Sequence, residues 1–236
     1  MSPQNIQGVV FDKDGTLLDF EKTWAPVHRA CAAAVTSEST LQDRLLRASG
    51  HDPVTDRFVA GSPIVAGTAL DVAEAWLPLL GAVHQDTDDL AKLIDATFIA
   101  EAGRCAVPVD GLKPTLLALS RRSLHLGVAT SDNTRSAEVG LAAMGVRDHF
   151  GFVCGYDAGH GHKPGPGMVL AFCAHTGLSP AHVAVVGDSE HDLHMARAAG
   201  AGFAVGVLTG PATRADLSPY ADVVLPSIAD LPRLLL

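Results

Sequence analysis

Short apolar runs, mostly β-branched, recur along the chain, and each ends in a polar cluster. Residues 6–11 (IQGVVF) stop at acidic and glycine residues, and residues 124–130 (LHLGVAT) stop at Ser131-Asp132-Asn133. Residues 183–186 (VAVV) run into Gly187-Asp188-Ser189, while 152–154, 203–207 and 222–225 repeat the design more briefly. Runs of this length bounded by turn residues predict buried strands. Between them lie helical patterns at 113–122, 134–144, 167–176 and 191–199. Strands alternating with helices predict an α/β fold whose parallel sheet is covered on both faces.

From about residue 19 to residue 104 the pattern changes. Amphipathic helical stretches occur near 22–36, 39–49, 69–80 and 88–102, with no convincing strand. Ser39, with Gln42 three residues on, predicts a capping box. Residues 58–67 (FVAGSPIVAG) read as a Gly/Pro loop. The expected organisation is a core of 1–18 plus 105–236, interrupted by an all-helical insert at 19–104. No internal repeat or low-complexity tract is visible.

With 236 residues and 47% hydrophobic content, the chain can bury a sizeable core. A net charge of −9 without a Lys/Arg cluster argues against a nucleic-acid partner. No stretch approaches the about 20 apolar residues of a membrane span, and the first residues lack a secretory signal pattern. These features predict a cytoplasmic protein without a membrane partner; monomer and homodimer both stay open. Cys31, Cys105, Cys154 and Cys173 form no CxxC pair and read as free thiols.

Ligands of open parallel sheets bind beyond the carboxyl ends of the strands, so the residues just after each strand carry the chemistry. In chain order these are Asp12-Lys13-Asp14-Gly15-Thr16, then Thr130-Ser131, then Lys163, then Asp188 through Asp192. Such carboxylates, a hydroxyl and a lysine suit a phosphate with a hard divalent cation. The first strand leads into DKDGT, not GxGxxG, which sets a dinucleotide site aside. A strand-end carboxylate such as Asp12 can attack phosphorus and split one displacement into two. Asp14, past a turn that Gly15 permits, can protonate the leaving alkoxide and later deprotonate water.

The segment VVFDKDGTLLD resembles the first motif of the haloacid dehalogenase superfamily. The threonine of GVATSDN, the lysine of HKPGPGM and the acids of GDSEHDLHMARAAG match its other three motifs in order. The resemblance covers the whole chain, and the insert matches the position of that superfamily's type 1 cap. The likeness is to the phosphoglycolate phosphatase-like branch. It implies a Rossmann-like core with an inserted helical cap and a magnesium-dependent phosphatase acting on a small phosphorylated metabolite. It also implies an aspartyl-phosphate on Asp12. By the same resemblance, Mg²⁺ is held by Asp12, the backbone carbonyl of Asp14 and Asp188, with Asp192 as a ligand or a support for the metal's waters. Phosphate binding falls to Lys163, Thr130, Ser131 and the Lys13 segment.

On the insert, Trp24 and His28 lie four apart and either face the active site or belong to the insert's core and surface. Residues 58–64 match the position of the cap's specificity loop, with Gly61 supplying backbone freedom and Arg57 placed to pair with a substrate carboxylate. His160 and His162 flank Lys163 without an evident third ligand. The presence of Asp14 argues against the dehalogenase and phosphonatase branches, which lack that acid. A β-phosphoglucomutase-type mutase is the enzymatic alternative and would require a basic cluster for a second phosphate, which the insert does not show. A non-catalytic phosphate sensor or scaffold is the alternative from another class, disfavoured by the intact motif set.

Overall fold

The first apolar run forms β1 (Gly8–Phe11), buried along its whole length because both faces of the sheet are covered. Val9 and Phe11 join the apolar cluster on one face, and Val10 joins the cluster on the other. This is the two-residue alternation of a strand. The computed structural model describes residues 5–81 and 86–235.

After a tight loop the chain enters α1 (Phe20–Val35), whose N-cap Asp19 accepts from Lys22 N. There follow α2 (Ser39–Ala48), a small hairpin of β2 (His51–Asp52) and β3 (Arg57–Phe58), α3 (Pro63–Ala66), α4 (Ala69–Leu80) and α5 (Thr87–Cys105). The insert is helical apart from that hairpin, whose two-residue strands are too short to show any alternation. The expected 58–67 loop contains α3, started by Pro63 at its first position, where proline's fixed φ suits a helix. The expected Ser39–Gln42 capping box does not form. Ser39 is already helical, and Gln42 Nε2 donates instead to Thr36 O at 2.7 Å.

The insert has its own core, built on Phe20, Trp24, Phe58, Trp76, Leu90 and Phe98. Inside it runs a polar chain. Trp76 Nε1 donates to Ser49 Oγ at 2.9 Å, and Ser49 Oγ lies 3.0 Å from His28 Nε2. His28 Nδ1 is 3.2 Å from His51 Nδ1, and His51 Nε2 is 3.1 Å from Asp56 Oδ1. One proton arrangement satisfies every member with both imidazoles neutral: Ser49 donates to His28, His28 to His51, and His51 to Asp56. Burial, with the neighbouring His51 and Arg29, lowers His28 well below the usual histidine range. Burial also lowers His51, against the opposing pull of Asp56.

The two connections of the insert run side by side. Asp19 N donates to Val107 O at 2.9 Å, and Val109 N to Leu17 O at 3.0 Å. The core then continues as α6 (Leu112–Arg121), β4 (His125–Ala129), α7 (Thr134–Ala143), β5 (Phe152–Cys154), α8 (Gly167–Thr176) and β6 (Val183–Gly187). It closes with α9 (Glu190–Ala199), β7 (Phe203–Val207), α10 (Arg214–Leu217), β8 (Val223–Leu225) and α11 (Leu231–Leu235). The sheet has six strands in the order β5-β4-β1-β6-β7-β8, every pair parallel. Phe11 pairs with Val128 on one side and Val186 on the other. The polar segments after β1, β4 and β6 therefore leave the sheet at one edge, where the strand order switches direction. No helix among the described residues is long and apolar enough to cross a membrane.

Candidate active site

Asp12 is the first residue beyond β1, and its N–H still donates to Val186 O at 2.8 Å, so the sheet itself aims the carboxylate. The following turn needs Gly15, at φ 84°: a Cβ there would fall 2.4 Å from Asp188 Oδ2. Beyond β6, Ser189 caps α9 and accepts from Asp192 N at 3.3 Å. Because Ser189 takes the cap, Asp188 stays free to face Asp12, with Thr16 Oγ1 donating to its Oδ1 at 3.3 Å.

Lys163 Nζ sits between two acids, 2.5 Å from Asp12 Oδ1 and 2.6 Å from Asp192 Oδ1. Asp192 Oδ2 accepts from Ser189 N at 3.1 Å and Ser189 Oγ at 2.6 Å. Both Asp192 oxygens are thus engaged, and the residue's contacts are those of a strut that fixes Lys163 and the start of α9. Burial alone would lower Lys163, but Asp12 and Asp192 reverse this and hold it above the usual lysine range. Burial pushes Asp12 up to about 7, with Lys163 pulling down and Asp192 and Asp14 pushing further up. Asp188 is raised well above the carboxylate range by burial and by the charges of Asp12 and Asp192.

These shifts describe a buried site with more negative charge than its lysine balances. Oxygens of Asp12, Asp188 and Asp192 lie within 4.8 Å of one another, the only such His/Cys/Asp/Glu group among the described residues. A hard, all-oxygen donor set with surplus negative charge fits Mg²⁺.

Asp14 has separate partners. Trp24 Nε1, from α1, donates to its Oδ1 at 2.6 Å, Lys13 Nζ lies 2.8 Å from its carboxylate, and Thr130 Oγ1 is 3.5 Å from its Oδ2. Lys13 also pairs with Asp132 at 3.0 Å. Its ammonium is buried there and does not line the cleft, so only its backbone amide could meet a phosphate. Thr130 and Ser131 line the cleft beside Asp12. Between core and insert the cleft spans about 570 Å³, open solvent at its mouth included.

Of the insert positions foreseen from the sequence, Trp24 reaches this cleft, and the expected specificity loop at 58–64 reaches it through Pro63 and Ile64. His28 does not: it is fully buried in the insert's polar chain. The helix carries it a turn beyond Trp24 into the insert's interior. Arg57 is exposed and pairs outward with Glu21 at 2.9 Å. Gly61 lines an adjoining groove with Glu190 and Asp216. His160 and His162 are exposed and outside the cleft.

The sequence reading missed three contributors. Asp95 of α5 crosses to the core, accepting from Asn133 Nδ2 at 3.1 Å and from the Tyr156 hydroxyl. Asp132 anchors Lys13. Gly210 lies so close to the acidic cluster that a Cβ on it would sit 1.7 Å from Asp188 Oδ2. Asp132 alone had a visible signal, the polar cluster that ends β4.

A family model described as "haloacid dehalogenase-like hydrolase" matches residues 6–200. A phosphoglycolate phosphatase of Shigella boydii is 32% identical over 249 residues, covering 97% of this chain and 92% of that protein. The crystal structure of a predicted phosphoglycolate phosphatase from Haemophilus somnus superposes with a TM-score of 0.76 at 21% identity, covering 98% of this chain and 99% of the other. That of a β-phosphoglucomutase from Clostridium difficile gives 0.64 at 18% identity, covering 96% and 93%. At these identities the two structures speak for the fold.

Proposed function

The chain belongs to the haloacid dehalogenase-like hydrolases, and from that premise we propose that it is a Mg²⁺-dependent phosphomonoesterase working through an aspartyl-phosphate on Asp12. The observation that carries this reading is the pairing of two adjacent carboxylates with different partners. Asp12 is held by Lys163, and Asp14 by Trp24 and Lys13. One acid is set for attack and the other for proton transfer.

In the first half-reaction, an Asp12 oxygen attacks phosphorus while the ester P–O bond breaks, and protonated Asp14 gives its proton to the leaving alcohol. In the second, Asp14 takes a proton from water as that water attacks the acyl phosphate. Inorganic phosphate leaves, Asp12 is regenerated, and Asp14 is again protonated. Lys163 and the Thr130 hydroxyl bind phosphate oxygens, and Asp192 holds Lys163 in place. Mg²⁺, held by Asp12 and Asp188, would offset the repulsion between these acids and the incoming phosphate, on the order of 4 kcal/mol per like pair at 4 Å and an effective dielectric of 20.

The relatives named phosphoglycolate phosphatase support this chemistry, while the alcohol is selected on the insert side of the cleft. A mutase would need a second phosphate site there. Lys22, Arg29, Arg57 and Lys92 pair instead with Asp19, Asp56, Glu21 and Asp89, away from the cleft, which favours hydrolysis. The test is phosphate release from a panel of small phosphomonoesters with Mg²⁺ and with chelator. Magnesium-dependent release supports the reading; release unaffected by chelator, or none from any compound, sinks it.

A further inference from the structure

The wall of the cleft opposite Asp12 is apolar and aromatic. The insert contributes Phe20, Trp24, Ile64, Val72 and Phe98, with Trp24 and Phe98 edge to face at 4.8 Å. Two polar side chains, Thr68 and Asp95, interrupt it on the insert side. The Thr68 hydroxyl is already spent on the α4 cap, bonding Asp71 Oδ2 at 2.7 Å. Asp95 accepts one hydrogen bond on each oxygen, from Asn133 and Tyr156, and keeps a second lone pair on each. From the core, His191 lines the same cleft with Nδ1 buried and without a hydrogen-bond partner.

Positive charge is missing from this wall. Among the described residues, no lysine or arginine of the insert lines the cleft. Lys163, the cleft's lysine, is locked between Asp12 and Asp192. A substrate with a second anionic group, carboxylate or phosphate, would lose its hydration against Trp24 and Phe98 and meet the Asp95 carboxylate with no lysine or arginine of the insert beside it. A hydroxyl has the opposite prospects: Asp95 can accept from it, and the His191 imidazole can donate to or accept from a second one.

Resting on the phosphatase reading, we propose that the substrate is a phosphomonoester of an uncharged, hydroxyl-bearing alcohol. Its carbons pack against Trp24 and Phe98, and a hydroxyl donates to Asp95. The carboxylated phosphate for which the curated relatives are named is the disfavoured class.

A matched pair tests this, 2-hydroxyethyl phosphate against 2-phosphoglycolate, which differ by CH₂OH against carboxylate. The wild-type kcat/KM favours the hydroxyl compound by about tenfold or more, from one uncompensated like-charge contact. Asp95→Asn keeps the side-chain shape, removes the charge and narrows that ratio several-fold. Calorimetric binding of the same pair to Asp12→Asn protein with Mg²⁺ reads the preference without turnover and gives the same order. Preference for 2-phosphoglycolate in turnover or in binding overturns the proposal while leaving the phosphatase reading intact. Hydroxyl-selective binding with no phosphate release from wild type keeps this cleft specificity and sinks the phosphatase reading.

Discussion

Replacing Trp24 with phenylalanine removes one hydrogen bond from Asp14 and keeps most of the ring's packing. The indole N–H donates to Asp14 Oδ1 at 2.6 Å, and the ring meets Phe98 edge to face at 4.8 Å and Phe20 at 6.2 Å. After substitution Asp14 still has Lys13 at 2.8 Å, so no carboxylate is stranded. Asp14 enters this step as the neutral acid and leaves it as the carboxylate, so the bond lost in the transition state lies between a neutral and a charged hydrogen bond, about 1–2 kcal/mol, or roughly 5- to 30-fold in a step that depends on Asp14's position. Single-turnover release of the alcohol isolates the half-reaction in which Asp14 is the acid. An alkyl phosphate, whose alkoxide must be protonated, slows by that factor in Trp24→Phe. p-Nitrophenyl phosphate, whose phenolate leaves unaided, changes by less than about threefold. Equal slowing of both, or no slowing of the alkyl ester, would refute the idea that the cap positions the acid through this bond.

Two further outcomes follow from the geometry. In Gly210→Ala the new Cβ displaces the Asp188 carboxylate it would overlap at 1.7 Å, so Mg²⁺ affinity by calorimetry falls about tenfold or more; unchanged affinity would mean that Asp188 does not hold the metal. Stability also responds to acid through His28, whose lowered pKa means that the unfolded chain binds a proton the folded one refuses. This contribution is complete above about pH 6.5 and is lost below it by up to about 1.4 kcal/mol per pH unit. Asp12 and Asp188, with raised values, act in the opposite sense in both proteins. The difference between wild type and His28→Gln in urea titrations from pH 7 to pH 5 therefore reports His28 together with the change it imposes on its neighbour His51, whose value is also lowered, and parallel pH slopes would contradict the burial of His28 as a neutral group.

The core was legible because its signals are local. An apolar run that stops at an acid marks both a strand and the edge where chemistry occurs, as at Phe11-Asp12 and Gly187-Asp188. The cap Ser189 supplies to α9 could be read the same way, within four residues. The insert offered no such anchor. Trp24 and His28 share a helical face by spacing, yet one borders the cleft and the other lies inside the insert, because the partners that decide this, Ser49 and His51, come from α2 and β2 or the residues next to them. Asp95 reaches Tyr156 across 61 positions of sequence, and Gly210 meets Asp188 through a loop with no pattern. Side chains whose roles depend on contacts between segments distant in sequence leave little trace in spacing.

The decisive measurement is acid-quenched turnover followed by mass spectrometry of the peptide containing Asp12. A phosphoryl group attached to Asp12 during turnover, absent from Asp12→Asn and lost on a chase with unphosphorylated alcohol and water, is the expected result. Sustained phosphate release with no phosphoryl group on Asp12 at any quench time would contradict covalent catalysis at this residue.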